Sequence, residues 1–478
     1  MRRPAPLVLA CLLAGIVATL AAASGIGVRS TYGGNASVDE PQYLLTALSL
    51  WEDRDLDIAD ELAAHRYRDF HQAELPVQTA AMPDGRRLSP HDPLLPVVLA
   101  MPVGLGGWVG AKLALSLLAG VTAALTVWVA VRRLAVPTAL AGVGSAVLFA
   151  SPPLAVYGQQ VYPELPAALA ALACAAAATG PVRARSLVVA SAGIVALPWL
   201  GVKYVPVAAA LAVVLLWRLW RCGRARALGG VAAGLAVAGV LYGVVHRVVW
   251  GGWTVYASGD HFQQSGEFGV VGFTPDYAGR SVRLVGLLVD RGFGLVPWQP
   301  VWLLAVPAVA ALARRRGAGA RLLLPVAAAW ATATWLALTM HGFWWPGRQV
   351  VVVLPLVGLV LLWWLAHVAP RWCRPVAAVL GAGGVVALAT LLRDGYARRL
   401  TWVVDVETVR DPAYSLLRPL LPDYRAGGWM ALHAVWAVVL VGLAVSGWMY
   451  AGRVQEGAPT DRRPTAVPAT PTEGALRA

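Results

Sequence analysis

The sequence predicts an all-α polytopic membrane protein of about twelve transmembrane helices with a structured extracytoplasmic first loop. Three observations carry that prediction. Of the 478 residues, 58% are hydrophobic and only 13% charged, and the mean hydropathy is +0.63, whereas a soluble domain carries about 25% charged residues. Apolar runs near the ~20 residues that a helix needs to cross a bilayer recur along the chain. Cations collect in the gaps between alternate runs, the pattern of cytoplasmic loops.

Taken in order, the apolar runs predict spans at 7–27, 108–131, 137–156, 161–179, 186–200, 202–220, 227–249, 294–313, 321–340, 350–368, 376–392 and 428–451. Residues 1–451 thus form one transmembrane domain. The stretch 452–478, rich in Pro, Thr, Ala and Arg, reads as a disordered cytoplasmic tail. The pair 186–200 and 202–220 is one long apolar run that Pro198 and Gly201 divide in two; a single span there would invert everything downstream. Val8-Leu-Ala-Cys11 resembles a lipoprotein cleavage box, but apolar sequence continues beyond it, so an uncleaved first helix is expected.

Charge orients this plan in the cell membrane, with both termini cytoplasmic. Twenty of the 39 cations fall on the cytoplasmic side, opposed by Glu456, Asp461 and Glu473 alone of the 25 acids. No acid lies in a cytoplasmic loop before the tail. The net charge of +14 therefore reflects membrane orientation, and nucleic acid is not an expected partner. None of Cys11, Cys174, Cys222 and Cys373 falls in an extracytoplasmic loop, so no disulfide framework is expected.

Three extracytoplasmic stretches are long enough to be structured: 28–107, 250–293 and 393–427. In the first, Glu40 to Trp51 reads as a helix with Tyr43, Leu44, Ala47, Leu48 and Trp51 on one face. Ile58 to Phe70 reads as a second helix lying on the membrane surface, its aromatics at headgroup depth. Pro93 to Leu105, apolar but short, reads as a re-entrant or interfacial piece.

Asp39-Glu40-Pro41 follows directly on the first span. Paired carboxylates at a membrane surface suit a general base or a metal ligand; the structural alternative is that Asp39 caps the helix and Glu40 favours its positive end. The chain has only two lysines, Lys112 and Lys203, both near extracytoplasmic ends of spans. Lys203 lies in the broken-helix sequence Leu197-Pro-Trp-Leu-Gly-Val-Lys-Tyr-Val-Pro206, suited to lining a cavity. Snorkelling to the headgroups is the alternative for both lysines. His91, Glu164 and Arg348 lie in short loops on the same predicted face, where turn chemistry and capping compete with a functional reading. No Walker A loop, HExxH, GxSxG or CxxC pattern is present.

A first span followed at once by Asp39-Glu40-x-x-Tyr43, then a loop with surface helices, resembles the GT-C superfamily of membrane glycosyltransferases, in its protein mannosyltransferase and aminoarabinose transferase-like branch. Further echoes are His91-Asp-Pro93, Tyr162-Pro-Glu164, Asp290-Arg-Gly-Phe-Gly-Leu-Val-Pro297 and Trp344-Trp-Pro-Gly-Arg348. The family's large soluble C-terminal domain has no counterpart in this sequence, so acceptor recognition through one is not expected. The resemblance implies inverting sugar transfer from a polyprenyl-phosphate donor to a lipid, glycan or protein acceptor on the extracytoplasmic face. It implies Asp39 as base with Glu40 positioning it or the acceptor. Lys203, Arg348 and His91 become candidates to meet the departing phosphate, and Tyr43 to stack on sugar or isoprenoid; Glu164 and Lys112 complete the candidate binding set. No cofactor is assigned; some relatives use a divalent cation, and the acids of the first loop permit one without requiring it. Two other classes fit the same composition: a transporter or flippase of envelope lipids, and a non-catalytic membrane protein of envelope assembly.

Overall fold

The computed structural model describes residues 6–259, 276–316, 318–337, 340–403 and 408–456. The architecture is all-α: among the described residues there are helices and a few isolated β-bridges but no strand. Among the described residues, seven helices are long and apolar enough to cross a membrane, and three shorter apolar ones accompany them, namely Thr138–Phe149, Glu164–Thr179 and Ala184–Leu200. Ten of the twelve predicted spans correspond to one of these.

The first ten helices are α1 (Pro6–Ala23), α2 (Glu40–Glu52), α3 (Ala59–Ala63), α4 (Leu94–Leu134), α5 (Thr138–Phe149), α6 (Leu154–Tyr157), α7 (Glu164–Thr179), α8 (Ala184–Leu200), α9 (Val205–Arg221) and α10 (Ala225–Val249). There follow α11 (Tyr277–Arg280), α12 (Arg283–Val289), α13 (Ala305–Arg315), α14 (Leu323–Ala331), α15 (Leu354–His367), α16 (Cys373–Tyr396), α17 (Pro412–Leu417) and α18 (Met430–Glu456).

Burial grades these helices from centre to rim. Nearly all of α15 is buried, as is most of α7. In contrast α1 buries only Ala14, Ala18 and Ala22, one residue per turn, and α10 only His246. A helix that is apolar all round yet uncovered suits lipid as solvent.

Several expectations need correction. The predicted spans 294–313 and 321–340 are not continuous helices. Residues 294–299 form turns and Pro300–Leu304 is a 3₁₀ segment before α13; α14 is flanked by a 3₁₀ and a π segment. Pro297, Pro300 and Pro307 withhold the N–H groups a continuous helix needs. The tail boundary also moves, since α18 runs on to Glu456; residues 457–478, expected to be disordered, lie outside the described residues. The expected helix over 58–70 is two short pieces, α3 and a 3₁₀ turn Arg66–Asp69, parted by His65 in the left-handed region (φ 55°). Its Tyr67 and Phe70 are buried in the core rather than turned to headgroups.

One junction settles as the sequence implied. Pro198 and Gly201 end α8, a 3₁₀ turn Val202–Tyr204 follows, and α8 and α9 pack against each other. The run is therefore two helices. The apolar piece at 93–105 forms the first part of α4, which breaks at Gly106 and Gly107; Gly107, at φ 58° and ψ −151°, adopts a conformation that a side chain would make costly.

Candidate active site

Four helix starts converge, and each delivers one charged side chain. Asp39 immediately precedes α2; Glu164 is the first residue of α7; Lys203 sits in the turn before α9; Arg348 opens the 3₁₀ segment Arg348–Val353 that leads into α15. Proline favours these starts: Pro41, Pro206 and Pro355 all stand in first turns, where a missing N–H costs nothing. Helix N-termini carry partial positive charge, so their convergence favours acids and bound anions.

The four side chains form one alternating chain of charges. Arg348 Nη2 donates to Asp39 Oδ2 at 2.9 Å and its Nε donates to Glu164 Oε1 at 2.7 Å. Lys203 Nζ donates to the same Glu164 oxygen at 2.6 Å. Exposure is graded along it: the Lys203 side chain is 30% exposed, Asp39 18%, Arg348 10% and Glu164 0%. The anchor is sealed and the ends are open. Gly347 makes the Arg348 placement possible: its φ of 81° is left-handed, and a Cβ there would meet Leu295 at 2.9 Å.

Asp39 does not cap its helix. Its side chain makes no capping hydrogen bond to α2, which was the structural alternative for this residue; it reaches across to Arg348 instead. Burial pushes its carboxyl up. The Arg348 charge, the charge of His91, the Arg348 hydrogen bond and Lys203 together outweigh burial and hold the carboxyl below its ordinary value.

Glu40, one residue on, has a different fate. Its Oε1 accepts from the Val161 backbone N–H at 2.9 Å, and its Oε2 from Ser30 Oγ at 2.7 Å and the Ser37 N–H at 3.1 Å. Lys112 Nζ stands 3.7 Å from Oε1 and donates to Asn35 O at 2.7 Å. Lys112 and Glu40 are 0% and 1% exposed. These two candidates are braces behind the open site, and Lys112 does not snorkel.

Tyr43 is also withdrawn. Its ring is buried and stacked beneath His91, with centroids 4.6 Å apart, so the predicted stacking surface is already covered. All of α2 up to Ala47 is buried, including Gln42 and Thr46, rather than one face of it. His91 Nε2 lies 3.1 Å from Gln78 Oε1. Burial lowers the His91 pKa, the Asp39 charge opposes that, and Arg348 adds to the lowering. Burial and the Arg348 charge thus work against the imidazolium with which the resemblance would have His91 meet the phosphate.

Sequence reasoning missed several neighbours. Tyr162 lies under the Arg348 guanidinium at 4.3 Å, and the Tyr204 ring is 5.2 Å from Lys203 Nζ. The hydroxyls of both tyrosines, Glu164 Oε2 and the amide of Gln42 are buried without a hydrogen-bond partner. Buried polar atoms are nearly always satisfied, so orphans beside charged groups are an unmet demand for polar partners. Asp92 is the other omission. Its Oδ2 accepts from the Val202 N–H at 3.0 Å, and its Oδ1 from Tyr242 at 3.0 Å and faces His246 Nε2 at 3.2 Å. It thereby ties the first loop and α10 to the turn that carries Lys203. Its place beside His91 was a usable signal; Tyr242 and His246, on an otherwise lipid-facing helix, gave none.

No protein-family model matches the chain, and no curated protein matches it either. Among solved structures, the chain is similar to the crystal structure of ArnT from Cupriavidus metallidurans bound to undecaprenyl phosphate, at 15% identity and a TM-score of 0.48, covering 94% of this chain and 75% of that one. It is similar to the same protein in the apo state at 16% identity and a TM-score of 0.48, covering 94% of this chain and 76% of that one.

Proposed function

We propose that this chain is a membrane glycosyltransferase of the GT-C type. It transfers a sugar from a polyprenyl-phosphate donor to an acceptor hydroxyl on the extracytoplasmic face, with inversion. The observation that carries the reading is the placement of Asp39: a carboxylate at a helix start that forgoes capping and stands, partly open, against a guanidinium.

The chemistry follows from the charges. The acceptor oxygen attacks the anomeric carbon as the bond from that carbon to the phosphate oxygen breaks. The electron pair leaves with the polyprenyl phosphate, and the acceptor proton passes to Asp39. A single displacement inverts the anomeric centre. Positive charge that meets the leaving phosphate stabilises the transition state more than the ground state. Arg348 and Lys203 are placed for this, and the convergent helix starts add to it.

Arg348 also suppresses Asp39 as a base, because a carboxylate held below its ordinary pKa takes a proton reluctantly. The donor relieves this. Its phosphate competes with the carboxylates for Arg348 and Lys203, which weakens the hold on Asp39 when the donor is bound. Glu164, sealed and shared between the two cations, keeps both within reach. Glu40 and Lys112 fix the start of α2 from behind, and Asp92 fixes the Lys203 turn.

The test uses membranes containing the full chain and labelled polyprenyl-phosphate sugars, with mannose and arabinose among them. Wild type is expected to transfer label to an endogenous acceptor. Asp39→Asn is expected to abolish transfer at unchanged protein level. Transfer retained by the variant would place the base elsewhere, and no transfer by wild type from any donor tried would favour a flippase or an assembly partner.

A further inference from the structure

The first loop holds a second acidic group at the opposite end of α2 from Asp39, about 20 Å away at 1.5 Å per residue over the 13 residues of the helix. Asp53 ends α2, its backbone N–H donating to Ser49 O, and Arg54 in the left-handed region (φ 66°) turns the chain. Ser49 Oγ then closes the turn with hydrogen bonds to Asp55 Oδ1 at 2.9 Å and Asp57 O at 2.8 Å. Helix α3 follows and presents Asp60 and Glu61. One carboxylate oxygen each from Asp53, Asp60 and Glu61 lies within 4.8 Å of the others.

Three acids in a surface loop mean little alone, and Asp53 and Asp60 are exposed. Glu61 is the independent observation. It is only 2% exposed, it belongs to the group, and neither of its oxygens meets a hydrogen-bond donor. A sealed, unpartnered carboxylate is costly unless a cation or proton compensates it. The nearby arginine does not serve, because Arg66 is spent in a two-point bond to Glu52 at 2.8 and 2.9 Å. The helix end adds to the demand: Glu52 and Asp53 stand where the α2 dipole is already negative, so a cation is favoured there.

We propose that Asp53, Asp60 and Glu61 form a binding site for one hard divalent cation of the calcium class, which fastens the far end of α2 to α3. An all-oxygen donor set selects hard cations over zinc or copper. Two exposed carboxylates beside one buried carboxylate leave positions for water and tolerate irregular geometry, which suits calcium better than the strict octahedron of magnesium. The site is structural, lies away from Asp39, and stands whether or not the transferase reading does.

The experiment uses the full-length protein in detergent micelles. Radioactive-calcium equilibrium binding is measured beside tryptophan-fluorescence melting in calcium or chelator. One saturable calcium per chain is expected, with a higher melting temperature in calcium and weaker displacement by magnesium. Asp60→Asn, at an exposed position that leaves the fold intact, is expected to weaken binding at least ~10-fold, roughly the loss of one charge-assisted contact. Glu61→Gln is expected to do the same or more, and Asp84→Asn, in an exposed pair with Arg86, to change nothing. The absence of saturable binding up to ~5 mM, above the ~10⁻⁴–10⁻³ M of extracellular calcium modules, would overturn the proposal. So would binding unaffected by Asp60→Asn, or a Glu61→Gln protein that melts higher than wild type in chelator while wild type ignores calcium, since the carboxyl would then be filled by a proton.

Discussion

Asp39 and Glu40 are adjacent acids at one helix start, yet they live in different media. Glu40 is sealed, with three hydrogen-bond donors and the Lys112 ammonium around it. Asp39 is partly open and holds a single side-chain partner, Arg348, which is itself shared with Glu164. A saturated buried acid can neither accept a proton readily nor meet a ligand; its role is to fix backbone. A half-satisfied acid at an opening can do both. One residue of offset decides the difference, because successive side chains at a helix start project about 100° apart.

Mutation can break this contrast from either side. The largest expected effect is Asp39→Asn, which removes the base while preserving shape; sugar transfer should fall at least ~10²–10⁴-fold, the usual worth of general acid–base catalysis. Folding should survive, as read by melting. Next comes Lys112→Met, which leaves the sealed Glu40 without its cation. A loss of about 3–5 kcal/mol is expected in unfolding or in-membrane proteolysis. The double variant Lys112→Met with Glu40→Gln should recover part of that loss. If Lys112→Met instead left stability intact but stopped transfer, the brace would belong to the site and the contrast would fail.

Arg348→Lys sharpens the comparison at intermediate size. One ammonium cannot reproduce the guanidinium's separate bonds to Asp39 and Glu164, so turnover should drop ~10–100-fold, equivalent to one charged hydrogen bond. The looser hold should also raise the Asp39 pKa, and the acidic limb of the kcat/KM profile should move to higher pH. An unmoved limb would separate Asp39 from the titrating group. In wild type the sign for stability is that of a depressed carboxyl: the Asp39 contribution is fully present above the ordinary aspartate value of ~3.9 and is lost as pH falls through the lower folded value. A comparison of melting temperature against pH for wild type and Asp39→Asn checks it, since the gap between them should close toward acid. The smallest effect is expected for Tyr43→Phe. Its ring serves as a floor for His91, so transfer should stay within about twofold, as for a substitution that keeps packing.

Much of this was legible in the sequence because membranes enforce simple rules. Length of apolar run, gaps rich in arginine and proline at helix starts predicted ten helices close to where they lie, and the Pro198–Gly201 break was read correctly. Placing Asp39, His91, Glu164, Lys203 and Arg348 on one face required only counting spans. The failures have physical causes too. At 294–313, apolar composition met proline spacing that cannot sustain a helix; at 321–340 a 3₁₀ and a π segment flank the short helix. At 58–70, aromatic spacing looked amphipathic, but the chain breaks at His65 and the aromatics enter the core. Tyr43 entered the candidate site through the family resemblance and Lys112 through its place at a span end, and neither signal carries the burial that packing gives both. The partners of Asp92 lie 150 and 154 residues away, and no local pattern announces such pairs.

The sequence by itself determined the solvent of this protein, because 58% apolar residues arranged in spanning runs admit only lipid. It also determined that the rare charges among those runs had to find partners, because an unpaired ion there is too costly to persist. Which partners they found was decided only by tertiary structure. Whether Arg348 meets Asp39 or Glu40, whether Lys203 meets Glu164 or water, and whether Glu61 is sealed or open depend on packing between segments up to 309 residues apart. Charge balance fixed the need for pairs; packing geometry assigned them, and in doing so left Asp39 the open one.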